Sequence, residues 1–147
     1  MGTDGLAQRF LGRSEERPID KLFRACVRLD DSDLHLKVGQ PPYVRVAGTL
    51  RQVNRAPIDD EEMVQLCIPL LDRRNRELFD RDGAVDFAYS VDVDEEDWRF
   101  RVNMMQQLGH VGLVARKVNN FVPDFKALHL PETLDQLCNI DQGMVLI

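Results

Sequence analysis

The stretch WRFRVNMMQQ, Trp98 to Gln107, decides the fold, because apolar and polar side chains alternate along most of it. Alternate residues of an extended strand point to opposite faces of a sheet. One face takes Trp98, Phe100, Val102 and Met104, and the other takes Arg99, Arg101, Asn103 and Met105. The pattern therefore predicts a strand with one buried face and one face that carries arginines.

Two further strands are predicted beside this one. AVDFAYSV precedes it and HVGLVARKV follows it, with an acidic turn at Asp92 to Asp97 and a tighter turn at Leu108 and Gly109. Short connections between consecutive strands favour antiparallel pairing. The three segments predict an antiparallel sheet in which Arg116, on the last strand, lies within cross-strand reach of Arg101.

The first half of the chain predicts helices and shorter strands. Apolar residues at helical spacing from Ile19 to Val27 predict an amphipathic helix. DLHLKV then alternates as a strand, and YVRVAGTLRQV reads as two strands around a turn at Ala47 and Gly48. A helix starts at Asp59, and Pro69 separates it from a second helix that ends near Gly83. This order predicts an α+β fold, an antiparallel sheet flanked by helices.

Composition limits the classes of function. The 147 residues suffice for one domain and an appendage, and the net charge of −6 argues against nucleic-acid binding. Residues 1–17 have neither the apolar core of a signal peptide nor the length of a membrane span, which predicts a flexible tail on a cytoplasmic protein. The three cysteines and three histidines are scattered, so no metal site is predicted.

The arginines allow two interpretations when spacing alone is considered. Arg99, Arg101 and Arg116 on one sheet face could form a fork for phosphate oxygens, because guanidinium binds them in bidentate geometry. The alternative is a solvated face whose arginines pair with carboxylates such as Asp86. Spacing alone favours the solvated face. The sequence contains no GKS/T phosphate loop and no nucleophile elbow that would favour catalysis within this chain.

GMVLI, Gly143 to Ile147, raises a separate question at the end of the sequence. Apolar residues after a glycine predict a buried strand of a parallel sheet. One strand cannot form a sheet, so this segment either pairs with strands earlier in the chain or is the first strand of a domain that this chain does not contain. A short helix in PETLDQLC precedes it.

Several ordered motifs resemble the PilT-type type IV pilus retraction ATPases. These are SDLHLKVGQPPYVRVAGTLR (Ser32 to Arg51), DFAYS, RFRVN, VGLVAR and DQGMVLI. The resemblance implies a flexible tail (1–17), a PAS-like N-terminal domain (18–118), and a hinge, short helix and first strand of a RecA-like ATPase domain (119–147). It further implies that GMVLI leads into a P-loop.

The resemblance also implies a role for the arginines. Arg101 and Arg116, with Arg99 as a weaker third, stand at positions that approach the phosphates of ATP held with magnesium by the P-loop domain. The implied partners are the chain's own ATPase domain, neighbouring subunits of a homohexamer and the pilus base machinery, without nucleic acid or membrane insertion. No catalysis and no cofactor are expected of this chain alone.

Two features leave the physiological role open. The turn QQLGH, Gln106 to His110, lacks the arginine that relatives tend to carry there, while GQPP favours the retraction branch of the family. A free-standing PAS-like module that binds a small ligand or a protein is a separate class of function and stays an alternative to the motor.

Overall fold

The computed structural model describes residues 17–119, 121–131, 133–139, 141–144 and 146. Its elements, in chain order, are α1 (Asp20–Arg28), β1 (Asp33–Lys37), β2 (Tyr43–Val46), β3 (Thr49–Gln52), α2 (Asp60–Cys67), a 3₁₀ turn (Ile68–Leu70), α3 (Arg73–Asp82), β4 (Ala84–Val93), β5 (Glu96–Gln107), β6 (His110–Lys117) and α4 (Thr133–Cys138).

The strands form one antiparallel sheet in the order β3-β2-β1-β6-β5-β4. The predicted meander of β4, β5 and β6 is confirmed, with Val102 opposite Phe87 on one side and opposite Ala115 on the other. Strand β1 joins the free edge of β6, where Leu36 lies opposite Leu113. The sheet and its flanking helices confirm the predicted α+β class.

Helices α1, α2 and α3 cover one face of the sheet, and the core lies between these helices and the sheet. The ring of Phe23 on α1 packs against Phe100 on β5 with ring centroids 4.8 Å apart, and against Tyr89 on β4 at 5.1 Å. Other fully buried core residues are Ile19, Cys26, Leu34, Ile58, Met63, Cys67, Val102, Met104 and Ala115. The predicted buried face of β5 is confirmed, and Cys26 and Cys67 are free thiols packed in this core.

Local signals in the sequence fix the helix ends. The Asp59 carboxylate accepts a hydrogen bond from the Glu62 amide at 2.8 Å, which caps α2. After α2 the chain makes the 3₁₀ turn that contains Pro69, because proline cannot continue the helical hydrogen bonding. Helix α3 ends at Gly83, whose φ of 72° is a left-handed conformation that glycine adopts without strain.

The hairpin turns agree with the prediction at two places and differ at a third. Ala47 and Gly48 join β2 to β3, and Leu108 and Gly109 join β5 to β6. The acidic turn was expected over Asp92 to Asp97, but only Asp94 and Glu95 lie outside the strands. The strands extend further because Val91 and Val93 continue the alternation and are buried in the core.

The segment after β6 was predicted as a hinge, a helix and a strand. The helix is present as α4, whereas Gly143, Met144 and Leu146 lie outside the strands, and Met144 is 83% exposed. A lone strand has no neighbour to pair with, so the assignment to a further domain stays a prediction. Val145 and Ile147, like the tail of residues 1–16, lie outside the described residues. In the described part of the chain, no helix has the length and apolar character needed to span a membrane.

Candidate functional site: an arginine and aspartate cluster on the open sheet face

The sheet face opposite the helices, which we call the open face, carries the predicted arginines. Strand pairing places Arg101 on β5 directly opposite Arg116 on β6, and Arg116 directly opposite Asp33 on β1. Arg99 lies on the same face of β5, two residues before Arg101. The structure thus brings Arg101 and Arg116 together, whereas Arg99 lies further along β5 and is not opposite Arg116.

Asp33 is the buried centre of this cluster. It is 3% exposed, and its Oδ1 accepts a hydrogen bond from Arg116 Nε at 2.8 Å. Its Oδ2 accepts hydrogen bonds from Ser32 Oγ at 2.8 Å and from Arg45 Nε at 3.1 Å. Burial acts to raise the pKa of Asp33, but the hydrogen bonds from Arg116 and Ser32 and the nearby positive charges outweigh it and lower that pKa. Asp33 is therefore a charged anchor for two arginines.

Arg101 and Arg116 combine an ion pair with exposure to solvent. Arg101 Nε lies 3.5 Å from Asp86 Oδ1 on β4, and the Arg101 side chain is 75% exposed. The Arg116 side chain is 74% exposed although its Nε contacts Asp33. Pairing with Asp86 was one of the two interpretations open from the sequence, and this contact is present. Each guanidinium group still presents nitrogens from which an oxyanion could accept hydrogen bonds.

A shallow groove adjoins the arginines on β5. It encloses about 320 Å³ and is lined by Asp86, Phe87, Ala88, Arg99, Phe100, Arg101 and Val118. Like charges directly opposite one another on a sheet are destabilising, so Arg101 and Arg116 need anionic neighbours. Asp33 and Asp86 supply them within the chain, and a bound phosphate would supply further negative charge at the same place.

Sequence reasoning missed Asp33. The signal for Asp33 was available, since it lies on the same strand face as His35 and opposite to the buried Leu34 and Leu36. His35 Nε2 is buried without a hydrogen-bond partner among the described residues. Burial lowers the pKa of His35, and the positive charge of Arg45 lowers it further. His35 is thus held as a neutral imidazole beside the cluster.

Comparison with curated proteins finds similarity to pilus ATPases. The chain is 30% identical over 127 residues to the type IV pilus ATPase PilU of Pseudomonas aeruginosa. The matched region covers 86% of this chain and 32% of PilU. It is 29% identical over 129 residues to the retraction ATPase PilT of the same organism, covering 88% of this chain and 37% of PilT. The chain therefore spans about a third of the length of these relatives. No family model matches the chain.

Solved structures give the same result for the fold. The structure of the pilus retraction motor PilT with bound ADP matches with a TM-score of 0.73 and 29% identity, covering 86% of this chain and 36% of that one. The ATPase DotB of Legionella pneumophila matches with a TM-score of 0.66 at 18% identity, covering 90% and 38%. The DotB match supports the fold alone.

Fold and site together define a helix-flanked, antiparallel α+β domain with a basic cluster on its open face. The chain is a homologue of the PilT-type pilus ATPases, and its fold matches the N-terminal domain of that type.

Proposed function

We propose that the chain is the N-terminal domain of a hexameric, PilT-like retraction ATPase. In this proposal the domain is PAS-like over residues 18–118, and residues 119–147 lead into the P-loop ATPase domain of the same protein. The relatives are ATPases by name, and the related PilT structure contains ADP. The protein would act in the cytoplasm, with neighbouring subunits and the pilus base machinery as its partners.

The observation that carries the proposal is the placement of Arg101 opposite Arg116 on the sheet face opposite α1, α2 and α3. In the assembled motor these two arginines, with Arg99 in a supporting position, would contact the phosphates of ATP held with magnesium by the P-loop domain. Positive charge that arrives by domain closure stabilises the charge developing on the transferred phosphoryl group. Asp33 would hold Arg116 extended for this contact through its hydrogen bond to Nε.

A second candidate function is a free-standing PAS-like module that binds a small ligand or a protein. The open face offers it a groove of about 290 Å³, lined by residues such as His35, Tyr43, Leu50, Met105 and Leu113. The motor proposal is preferred because the ordered motifs and both relatives belong to ATPases.

Sequencing the DNA that follows the codon for Ile147 separates the two functions. The motor proposal expects an in-frame P-loop of the GKS/T form within a short distance. A stop codon, or an in-frame domain without a P-loop, would contradict it and leave the ligand-binding module.

A further inference from the structure

Strand β3 forms one edge of the sheet, and among the residues that the structure describes, part of its backbone has no strand beside it. All four of its residues, Thr49 to Gln52, are exposed, and β2 is its neighbour in the sheet. In a hairpin with a two-residue turn, the residues next to the turn form a hydrogen-bonded pair, and the alternation follows from there. Val46 and Thr49 are this pair, so the backbone groups of Leu50 and Gln52 point away from β2. They can accept another strand.

The two faces of β3 differ in chemistry. Leu50 lies on the open face, opposite Arg45, where its side chain is 47% exposed and lines the groove with Tyr43. Arg51 points to the other face at the rim of the sheet, opposite the buried Val44. An added strand would therefore meet an apolar surface on one side and a guanidinium group on the other.

Positive charge is segregated in this part of an acidic chain. Residues 34–58 contain Lys37, Arg45, Arg51 and Arg55 and no aspartate or glutamate, whereas the whole chain has a net charge of −6. Arg45 pairs with Asp33, and Arg55 pairs with Glu62. Arg51 makes no ion pair with any residue that the structure describes. Arg51 acts at longer range on the buried Asp31 carboxyl, and on its exposed strand it can still pair with a partner.

We propose that the β3 edge binds an extended segment of another protein in which acidic and apolar residues alternate. The segment would add a strand beside Leu50 and Gln52, with its apolar side chains over Leu50 and Tyr43 and a carboxylate against Arg51. Such strand addition takes affinity from main-chain hydrogen bonds and specificity from alternate side chains. A second copy of this chain fits less well, because it would bring another Arg51 to the same edge.

The test uses the 147-residue chain and a blocked peptide of nine alternating glutamate and valine residues. Hydrogen exchange measured by NMR should show the amides of Leu50 and Gln52 protected by the peptide, while those of Arg101 and Asn103 change little. Gln52→Pro removes one outward N–H at a position where an edge strand tolerates proline, and it should weaken binding about tenfold. Gln52→Ala keeps the N–H and should bind as the wild type does. Arg51→Glu should also weaken binding, and Arg74→Glu on α3 is its charge-matched control.

Equal binding of a lysine and valine peptide would overturn the proposal, as would undiminished binding by Gln52→Pro. Protection of Leu50 that rises with protein concentration in the absence of peptide would instead assign the edge to a second copy. If Gln52→Pro does not fold, the protection of Leu50 and Gln52 in the wild-type chain decides the question, and its absence contradicts the proposal.

Discussion

Asp33 Oδ1 accepts a hydrogen bond from Arg116 Nε at 2.8 Å, and this contact joins two neighbouring strands of the sheet. Asp33→Asn removes the charge from this contact and from the contact with Arg45. Because hydrogen bonds to charged groups contribute about 1.5–3 kcal/mol, we expect the free energy of unfolding to fall by about 1–3 kcal/mol at pH 7. Urea unfolding measures it, with Asp80→Asn, on the exposed face of α3, as the control. Equal losses in the two variants would contradict a special role for Asp33.

The same contact should appear in the acid stability of the chain. The folded pKa of Asp33 lies below its ordinary value of about 3.9, so its stabilising contribution is present above that pH. The contribution is lost as the pH falls through the lower, folded pKa. The wild type should therefore lose more stability than Asp33→Asn between pH 5 and pH 2. If the wild type and Asp33→Asn gave parallel curves of melting temperature against pH, ionised Asp33 would not stabilise the folded chain.

His35 predicts a second dependence on pH. Its folded pKa is lowered by burial and by Arg45, so the unfolded chain takes up a proton first as the pH falls. Unfolding is then favoured as the pH drops below about 6.5, the ordinary pKa of histidine. Between pH 7.5 and pH 5.5, the melting temperature should fall more in the wild type than in His35→Gln. His129→Gln removes an exposed imidazole and is the control. Its melting temperature should fall with pH as much as that of the wild type.

Asp31 should be a site where substitution stabilises the chain. It is fully buried, and neither carboxylate oxygen has a hydrogen-bond partner among the described residues. Burial raises its pKa despite the positive charge of Lys117, so ionisation at higher pH destabilises the folded state. Asp31→Ala should raise the melting temperature at pH 8, and the gain should shrink towards pH 4. A variant less stable than the wild type at pH 8 would show that the carboxylate has a partner after all.

The chain alone should neither hydrolyse ATP nor bind it tightly. Its sequence lacks the glycine-rich loop, lysine and hydroxyl that supply most phosphate binding in P-loop enzymes. Isothermal titration of residues 1–147 with magnesium and ATP should show no saturable heat at micromolar concentrations. Micromolar binding that Arg101→Ala abolishes would mean that the cluster is a complete nucleotide site by itself.

Much of the fold could be predicted because local and tertiary signals agree. Alternation in β5 gave its buried face, the capping residues Asp59 and Gly83 gave helix ends, and short turns gave the meander. The extent of β4 was underestimated, because acidic residues such as Asp92 resemble a loop in composition while the buried Val93 continues the strand.

The site was harder to predict than the fold. Periodicity placed Arg101 and Arg116 on one face. It did not indicate which strand pairs with the other edge of β6, and therefore which residue lies opposite Arg116. The pairing of β1 with β6 joins residues 83 positions apart in the contact of Arg116 with Asp33. Such long-range neighbours depend on topology, which spacing within a segment does not reveal.

ATP turnover by the chain joined to the P-loop ATPase domain that the motor proposal places after Ile147 tests the central claim most directly. We expect Arg101→Ala and Arg116→Ala each to lower kcat by at least about tenfold, since arginine fingers contribute roughly 10³ to 10⁵ in rate and two residues would share the task. Arg74→Ala, an exposed arginine on α3, is the control and should retain wild-type turnover. Sedimentation must show that all variants form the same oligomer. Unchanged turnover in both open-face variants would contradict the account and leave these arginines as a solvated face paired with Asp33 and Asp86.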